Sequence, residues 1–260
     1  TNALVTHDGA TAGGFPHVKT ADLAASSGSS LMGANAYQTQ SDVNAERVSI
    51  ARFGAIPNDI TKAAINTAAM NAAFAESSNV FAPEGIFYFN DTVNIPLHAQ
   101  LVGAGKIITK LQYTGSGIAL NLAGGYINFS DFFLVGNSTA PLVFDAGTTG
   151  IYSPVFGGNI TMENCRFQGF AKLIDSVSQG GYYFKFYNCK FTSADVLLSA
   201  ISSNNISFFG CAFSDFNSGI QSFGGSGGPM SFFGCAIEAW SGVFISPIRG
   251  RKLELEMEGC

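Results

Sequence analysis

Five cysteines, Cys165, Cys189, Cys211, Cys235 and Cys260, are separated by 24, 22, 24 and 25 residues. That spacing is too regular for a disulfide set or a metal site, and it marks an internal repeat. Alignment on the cysteine gives Ile160-Thr-Met-Glu-Asn-Cys-Arg-Phe167, Phe184-Lys-Phe-Tyr-Asn-Cys-Lys-Phe191, Ile206-Ser-Phe-Phe-Gly-Cys-Ala-Phe213 and Met230-Ser-Phe-Phe-Gly-Cys-Ala-Ile237. A fifth copy ends at Cys260, and a degenerate earlier copy, Ile127 to Leu134, puts Phe132 where the cysteine belongs.

Within each copy the apolar residues fall five and three places before the cysteine, at it, and two places after. This is strand alternation with one slip of phase. The slip falls at Asp131, Asn164, Asn188, Gly210, Gly234 and Gly259, all residue types that tolerate a left-handed backbone. One such residue bends the chain between two strands while both keep an apolar side inward. A rung of this length cannot bury its inner face alone. Stacked in parallel, the rungs align Ile160, Phe184, Ile206 and Met230 in one interior column and the cysteines in another. The expected fold is therefore an all-β parallel β-helix, right-handed by the general rule for parallel crossovers. A sandwich or an up-and-down barrel does not demand one residue type every two dozen positions, and a leucine-rich repeat would carry leucine where this chain has Phe and Cys.

Composition agrees, with 31 glycines, 24 phenylalanines and one tryptophan among 260 residues. Turns between short aromatic strands account for that skew. Only 12% of residues are charged and the net charge is −5, and the one basic run is the short Arg249-Gly-Arg-Lys252, so a nucleic-acid partner is not expected. No apolar stretch is long enough for a membrane span, and the N-terminal residues lack the two halves of a secretory signal. The five Asn-x-Ser/Thr triplets at Asn90, Asn128, Asn137, Asn159 and Asn205 then read as asparagines of polar turns. The odd number of cysteines and their interior column point to small buried thiols, a pattern that fits assembly in a reducing cytoplasm.

Residues 1–47 are dominated by Ala, Gly, Ser and Thr, with a short helix expected from Thr20 and broken by the serine-rich run 26–30. Such a segment holds too little apolar surface to fold alone and reads as a neck ordered by a partner or by its own copies. Residues 48–260 form the solenoid. A strand and turn over 48–55 are followed by a helix over 61–74, on which Ile65, Ala69, Met70 and Phe74 share a face. That helix is expected to cover the open end of the solenoid.

The segments Val48-Ser-Ile-Ala-Arg-Phe-Gly-Ala55, the helix, Phe81-Ala-Pro-Glu-Gly-Ile-Phe-Tyr88, Ile95-Pro96 and Leu101-Val-Gly-Ala-Gly105 resemble, in order and spacing, the bacteriophage tailspikes and polysaccharide depolymerases of the pectate-lyase-like right-handed β-helix group. The serine-rich run resembles the neck that precedes them. One departure stands out: the family's acidic Gly-Asp-Gly turn before the helix is replaced by Ile56-Pro-Asn-Asp-Ile-Thr61. The resemblance implies a homotrimer in the virion tail, joined to the phage tail or an adaptor protein through residues 1–47. It also implies an enzyme that binds and cleaves a host surface polysaccharide by hydrolysis or elimination. It further implies a longer protein whose cleft lies on later rungs or between subunits.

The residues themselves show no nucleophile elbow, phosphate loop or metal set. His7, His17 and His98 are scattered, so neither metal nor cofactor is expected. Sugar hydrolysis needs two carboxyl groups, roughly 5 Å apart for retention or 6.5 to 9.5 Å for inversion. Neighbouring rungs bring together Asp215 and Glu238, with Asp195 one rung earlier. These are the candidate catalytic acids, against the plainer reading of solvated turn acids. Two places before each cysteine, where side chains point to solvent, stand Glu163, Tyr187, Phe209, Phe233 and Glu258. Tyr187, Phe209 and Phe233 form an exposed aromatic ladder, read as trimer interface, as glycan contact, or as covered by the loop 223–229. The alternatives to a depolymerase are a structural or receptor-binding tail protein without chemistry, and a cellular pectinase-like enzyme, which should carry a signal peptide.

Overall fold

The computed structural model describes residues 47–137, 145–154, 158–176, 182–200, 203–222, 229–238, 245–247 and 255–260. The neck read from residues 1–46 and most of the loop 223–229 lie outside them.

The described chain is a parallel β-helix with three faces. The first face is a 9-stranded sheet whose order follows the chain, from Val48–Ser49 and Asn79–Ala82 through Gln100–Gly103, Ile127–Ser130, Gly158–Glu163, Tyr182–Tyr187, Ser203–Phe209 and Met230–Phe233 to Leu255–Glu258, every pair parallel. The second face stacks Gly85–Phe89, Thr109–Tyr113 and Phe133–Val135, and the third stacks Val93–Ile95, Ile118–Leu122 and Asp145–Ser153. From the fourth of these rungs the second and third faces run together as single long strands, Arg166–Ser176, Lys190–Ala200 and Ala212–Ser222.

The interior columns expected from the repeat are present. Ile127, Ile160, Phe184, Ile206 and Met230 are register partners and all buried. Beside them Phe186, Phe208 and Phe232 stack with ring centroids 4.7 and 4.9 Å apart, and Phe167, Phe191 and Phe213 at 5.3 and 5.2 Å. The two stacks meet edge to face, Phe186 on Phe191 at 5.3 Å and Phe208 on Phe213 at 5.1 Å. One rung spacing of about 4.8 Å suits offset ring stacking, which is why phenylalanine repeats so well in this position.

Each slip residue is left-handed: Asp131, Asn164, Asn188, Gly210, Gly234 and Gly259 have φ of 61, 52, 50, 60, 59 and 63°. Backbone bonds to both neighbouring rungs close the corner. Asn188 N donates to Phe209 O of the next rung at 2.8 Å, and Lys190 N donates to Cys165 O of the preceding rung at 2.9 Å. The corner side chains add a ladder, Asn188 donating to Asn164 and Asn164 to Asp131.

Cys165, Cys189, Cys211 and Cys235 are free and buried. Each of the last three donates its thiol to a carbonyl of the preceding rung: Cys189 to Met162, Cys211 to Phe186 and Cys235 to Phe208, at 3.4 to 3.6 Å. Hydrogen bonding to the neighbouring Cys189, together with burial, pushes the Cys211 thiol up to about 12, and Cys189 and Cys235 are raised in the same way.

The helix, α1, spans Ala63–Glu76 and follows a 3-10 turn at Ile60–Lys62, so it begins two residues later than the sequence pattern suggests. Its buried face also differs. Ile65 is exposed, whereas Asn66 and Thr67 are buried with Ala69, Met70, Ala73 and Phe74. The reason is backbone satisfaction at the solenoid's end. The Asn66 side chain accepts from Ile56 N and donates to Ile56 O and Tyr88 O, while Thr67 Oγ1 accepts from Asn90 N. In the turn that departs from the resemblance, Asn58 adopts φ 62° and exchanges hydrogen bonds with the backbone of Ile86. Asp59 caps the 3-10 turn by accepting from the backbone and hydroxyl of Thr61, bonds that lower its pKa. Asn58 and Asp59 thus supply the left-handed residue and the acid with no glycine present.

Candidate functional site

The long strands cross from the second to the third face at a second corner, where Gly169, Ser193 and Asp215 align and have φ of 83, 52 and 57°. The polar side chains of the site collect here. Gln168, Thr192 and Ser193 are buried although the neighbouring inward positions belong to Phe167 and Phe191. Thr192 Oγ1 donates to Asp215 Oδ2 at 3.2 Å and accepts from Ser214 Oγ at 3.2 Å, so the Asp215 carboxylate is held from the preceding rung through a hydroxyl pair.

The register places the three expected acids. Ile237 pairs with Phe213, which sets Glu238 beside Ser214, one place before Asp215, on the next rung; the Glu238 backbone N–H donates to Phe213 O at 2.8 Å. Asp215 and Glu238 are therefore diagonal neighbours on adjacent rungs. Glu238 is exposed and Asp215 half-buried. Asp195 lies two places beyond Ser193, the register partner of Asp215, and accepts from Asn217 Nδ2 at 3.2 Å. It stands farther along the third face, away from the Thr192 and Ser214 hydroxyls.

A fourth carboxylate was not found from the spacing. Asp175 is buried on the third face, with Oδ2 at 2.8 Å from Lys172 Nζ, and its Oδ1 is enclosed without a hydrogen-bond partner. Tyr152, Ser199 and Gln221 share its column. The alternation that exposes this position is interrupted at the second corner, so counting from the cysteine did not reach it. The enclosed Oδ1 has room in its hydrogen-bonding capacity for a hydroxyl or N–H donor.

Around the first corner, the predicted outward ladder is formed. Glu163, Tyr187, Phe209, Phe233 and Glu258 are successive register partners. Tyr187 stacks on Phe209 at 4.9 Å and Phe209 on Phe233 at 5.1 Å, the planes within 10° of parallel. All three rings are half-buried, and the acids at both ends are exposed. The ladder and the carboxylates are on different faces, joined through the single-residue corner. Near the capping helix a cavity of about 290 Å³ is lined by Asn71, Phe74, Asn94, Pro96 and Asn121 among others. Its amides tie the helix to the third face, Asn94 N donating to Asn71 Oδ1 and Asn121 Nδ2 to Asn94 Oδ1. Among the described residues no cluster of three or more His, Cys, Asp or Glu side chains is arranged to hold a metal ion.

No protein-family model and no curated protein matches the sequence. Solved structures of similar chain path include the catalytic unit of a thermostable GH87 α-1,3-glucanase from Streptomyces thermodiastaticus strain HF3-3, with TM-score 0.47 and 17% identity over 76% of this chain and 42% of that one. The Agl-KA catalytic domain aligns with TM-score 0.36 and 12% identity over 81% of this chain and 68% of that one. ORF18 of Geobacillus virus E2 aligns with TM-score 0.36 and 12% identity over 83% and 62%. The chain spans less than half the length of the glucanase unit it matches and about three fifths of the viral protein.

Proposed function

We propose that this chain is a phage tail β-helix that binds and depolymerises a host surface polysaccharide, acting as a homotrimer attached to the virion through residues 1–47. The observation that carries the reading is the pairing of outward features on adjoining faces: the stacked Tyr187, Phe209 and Phe233 ladder, and the Asp215 and Glu238 carboxylates on neighbouring rungs. Flat ring faces suit the apolar faces of sugars, and a carboxylate pair is the minimal machinery for glycosidic cleavage. Glu238 and Asp215 divide the roles of acid and of base or nucleophile between them. Asp215, held by Thr192, keeps its lone pairs directed for base or nucleophile chemistry.

The test incubates the full-length protein, and separately residues 1–260, with capsular, exopolysaccharide and O-antigen glycans of the host panel, following new reducing ends and unsaturated sugars. Cleavage by both, lost about a hundredfold or more in Asp215→Asn and in Glu238→Gln, supports the assignment. Cleavage by the full-length protein alone moves the chemistry off these rungs. Cleavage by neither leaves the second reading, a receptor-binding tail protein without chemistry. The ladder, complete on its own face, would serve that second reading without the carboxylates.

A further inference from the structure

The outer surface of the second face carries a column whose members from Phe133 onward stand one place after the cysteine position of the repeat. Register partners on successive rungs are Lys110, Phe133, Arg166 and Lys190, followed by Ala212 and Ala236. The Phe133 ring is held between two cations, Lys110 Nζ 5.7 Å and Arg166 Cζ 4.5 Å from its centroid. Arg166 also donates to Gln168 Oε1 at 2.8 Å, and its Nε is enclosed without a partner. Lys190 is exposed on the next rung.

This arrangement is costly on its own. Like charges directly opposite on paired strands repel, and Arg166 and Lys190 are such a pair. Burial, and then the field of Arg166, hold the Lys110 ammonium below the usual lysine range; Arg166 is lowered by burial as well. Neither Lys110, Arg166 nor Lys190 has an ion-pair partner among the described residues, although the chain as a whole carries a net charge of −5. Three cations and one aromatic ring thus form a strip up the helix axis, with no anion among the described residues paired to them.

We propose that Lys110, Phe133, Arg166 and Lys190 form a binding strip for an anionic glycan, a sugar chain bearing carboxylate or sulfate groups, laid along the helix axis. Rungs are spaced by about 4.8 Å, so the cations sample a bound polymer at one-rung and two-rung intervals, while the Phe133 ring fixes Lys110 and Arg166 on either side of it. The Arg166 fork receives one anionic group with two donors, and Lys190 neutralises the same or the next one. Beyond Lys190 the column falls away to Ala212 and Ala236, which leaves the surface low beside Ser214, Asp215 and Glu238. A chain anchored on the strip therefore continues over the two carboxylates. That the ligand is a sugar rests on the function proposed above; the demand for an anion rests on the column alone.

The test measures binding of the full-length protein to polygalacturonate, dextran sulfate, methyl-esterified polygalacturonate and dextran by affinity electrophoresis and calorimetry. Retention by either anionic polymer and not by the ester or dextran is expected. It should weaken when salt rises from about 0.05 M to about 0.3 M. The triple variant Lys110→Gln, Arg166→Gln, Lys190→Gln should lose affinity about tenfold or more. The control Arg47→Gln, Arg52→Gln, Lys62→Gln, at the capped end and with the same change in net charge, should bind as the parent does. Equal loss in both triples, or no binding to either polyanion, overturns the strip. Cleavage of a host polysaccharide with unchanged kcat/KM in the strip variant and no polyanion binding sinks the strip and leaves the depolymerase. Specific polyanion binding without any cleavage does the reverse.

Discussion

At the scale of single residues, the corners carry the fold. Asn188 occupies a left-handed position, joins the side-chain ladder to Asn164, and accepts from Lys106 Nζ on its carbonyl at 3.2 Å. Asn188→Ala removes the ladder bond and puts a Cβ with no compensating polar group into a left-handed backbone, a loss of about 2 kcal/mol. Asn188→Gly removes only the side-chain part and should cost about half as much. Urea unfolding of the two variants checks the ordering, and an alanine variant as stable as the glycine one would refute the role given to the backbone. The thiols offer a second check. With Cys211 raised to about 12 and Cys165, Cys189, Cys211 and Cys235 buried, a thiol reagent at about pH 8 should modify these four only on unfolding.

At the scale of elements, α1 is attached to the solenoid by polar groups as much as by apolar ones. Asn66 is fully buried and satisfies three backbone groups of Ile56 and Tyr88. Asn66→Ala leaves those groups enclosed without partners and should destabilise the capped end by about 2 to 4 kcal/mol, with faster amide exchange in Val48–Ser49 and Gly85–Phe89 than in later rungs. Replacement of exposed Ile65 by Ser should leave both unchanged. Here helical periodicity was a partial guide: it selected Ala69, Met70 and Phe74, and it also selected Ile65, because hydrophobicity alone cannot register that the end of a β-helix presents carbonyls and N–H groups. The glycine of the 101–105 motif is a similar case, since a Cβ at Gly103 would collide with the Asp131 carbonyl of the next corner.

At the scale of the whole molecule, the outer columns decide how the solenoid meets other molecules. The Tyr187, Phe209 and Phe233 ladder is a half-buried apolar stripe. In a trimeric protein it is suited to subunit contact. Phe209→Ser with Phe233→Ser should then lower the assembled mass in light scattering while the monomer's circular dichroism is retained. An unchanged oligomer with reduced glycan affinity would reassign the stripe to sugar binding. The strip of Lys110, Phe133, Arg166 and Lys190 adjoins it across the first corner, for Tyr187 and Lys190 are three residues apart on one rung.

The amino-acid sequence by itself determined the repeat, the inward columns, the left-handed corner residues and the outward aromatic ladder. All follow from local alternation and from identical residues recurring at rung length, and stacking equal rungs leaves one register that buries every apolar position. The tertiary structure alone decided which unlike residues become neighbours. Lys110 joins Phe133 and Arg166 from a rung that carries no copy of the repeat, and Asp175 lies beyond a second corner that resets the alternation. Their juxtaposition depends on how many residues each loop inserts between faces, a quantity with no periodic trace in the chain, and it is settled only when the backbone hydrogen bonds of successive rungs align.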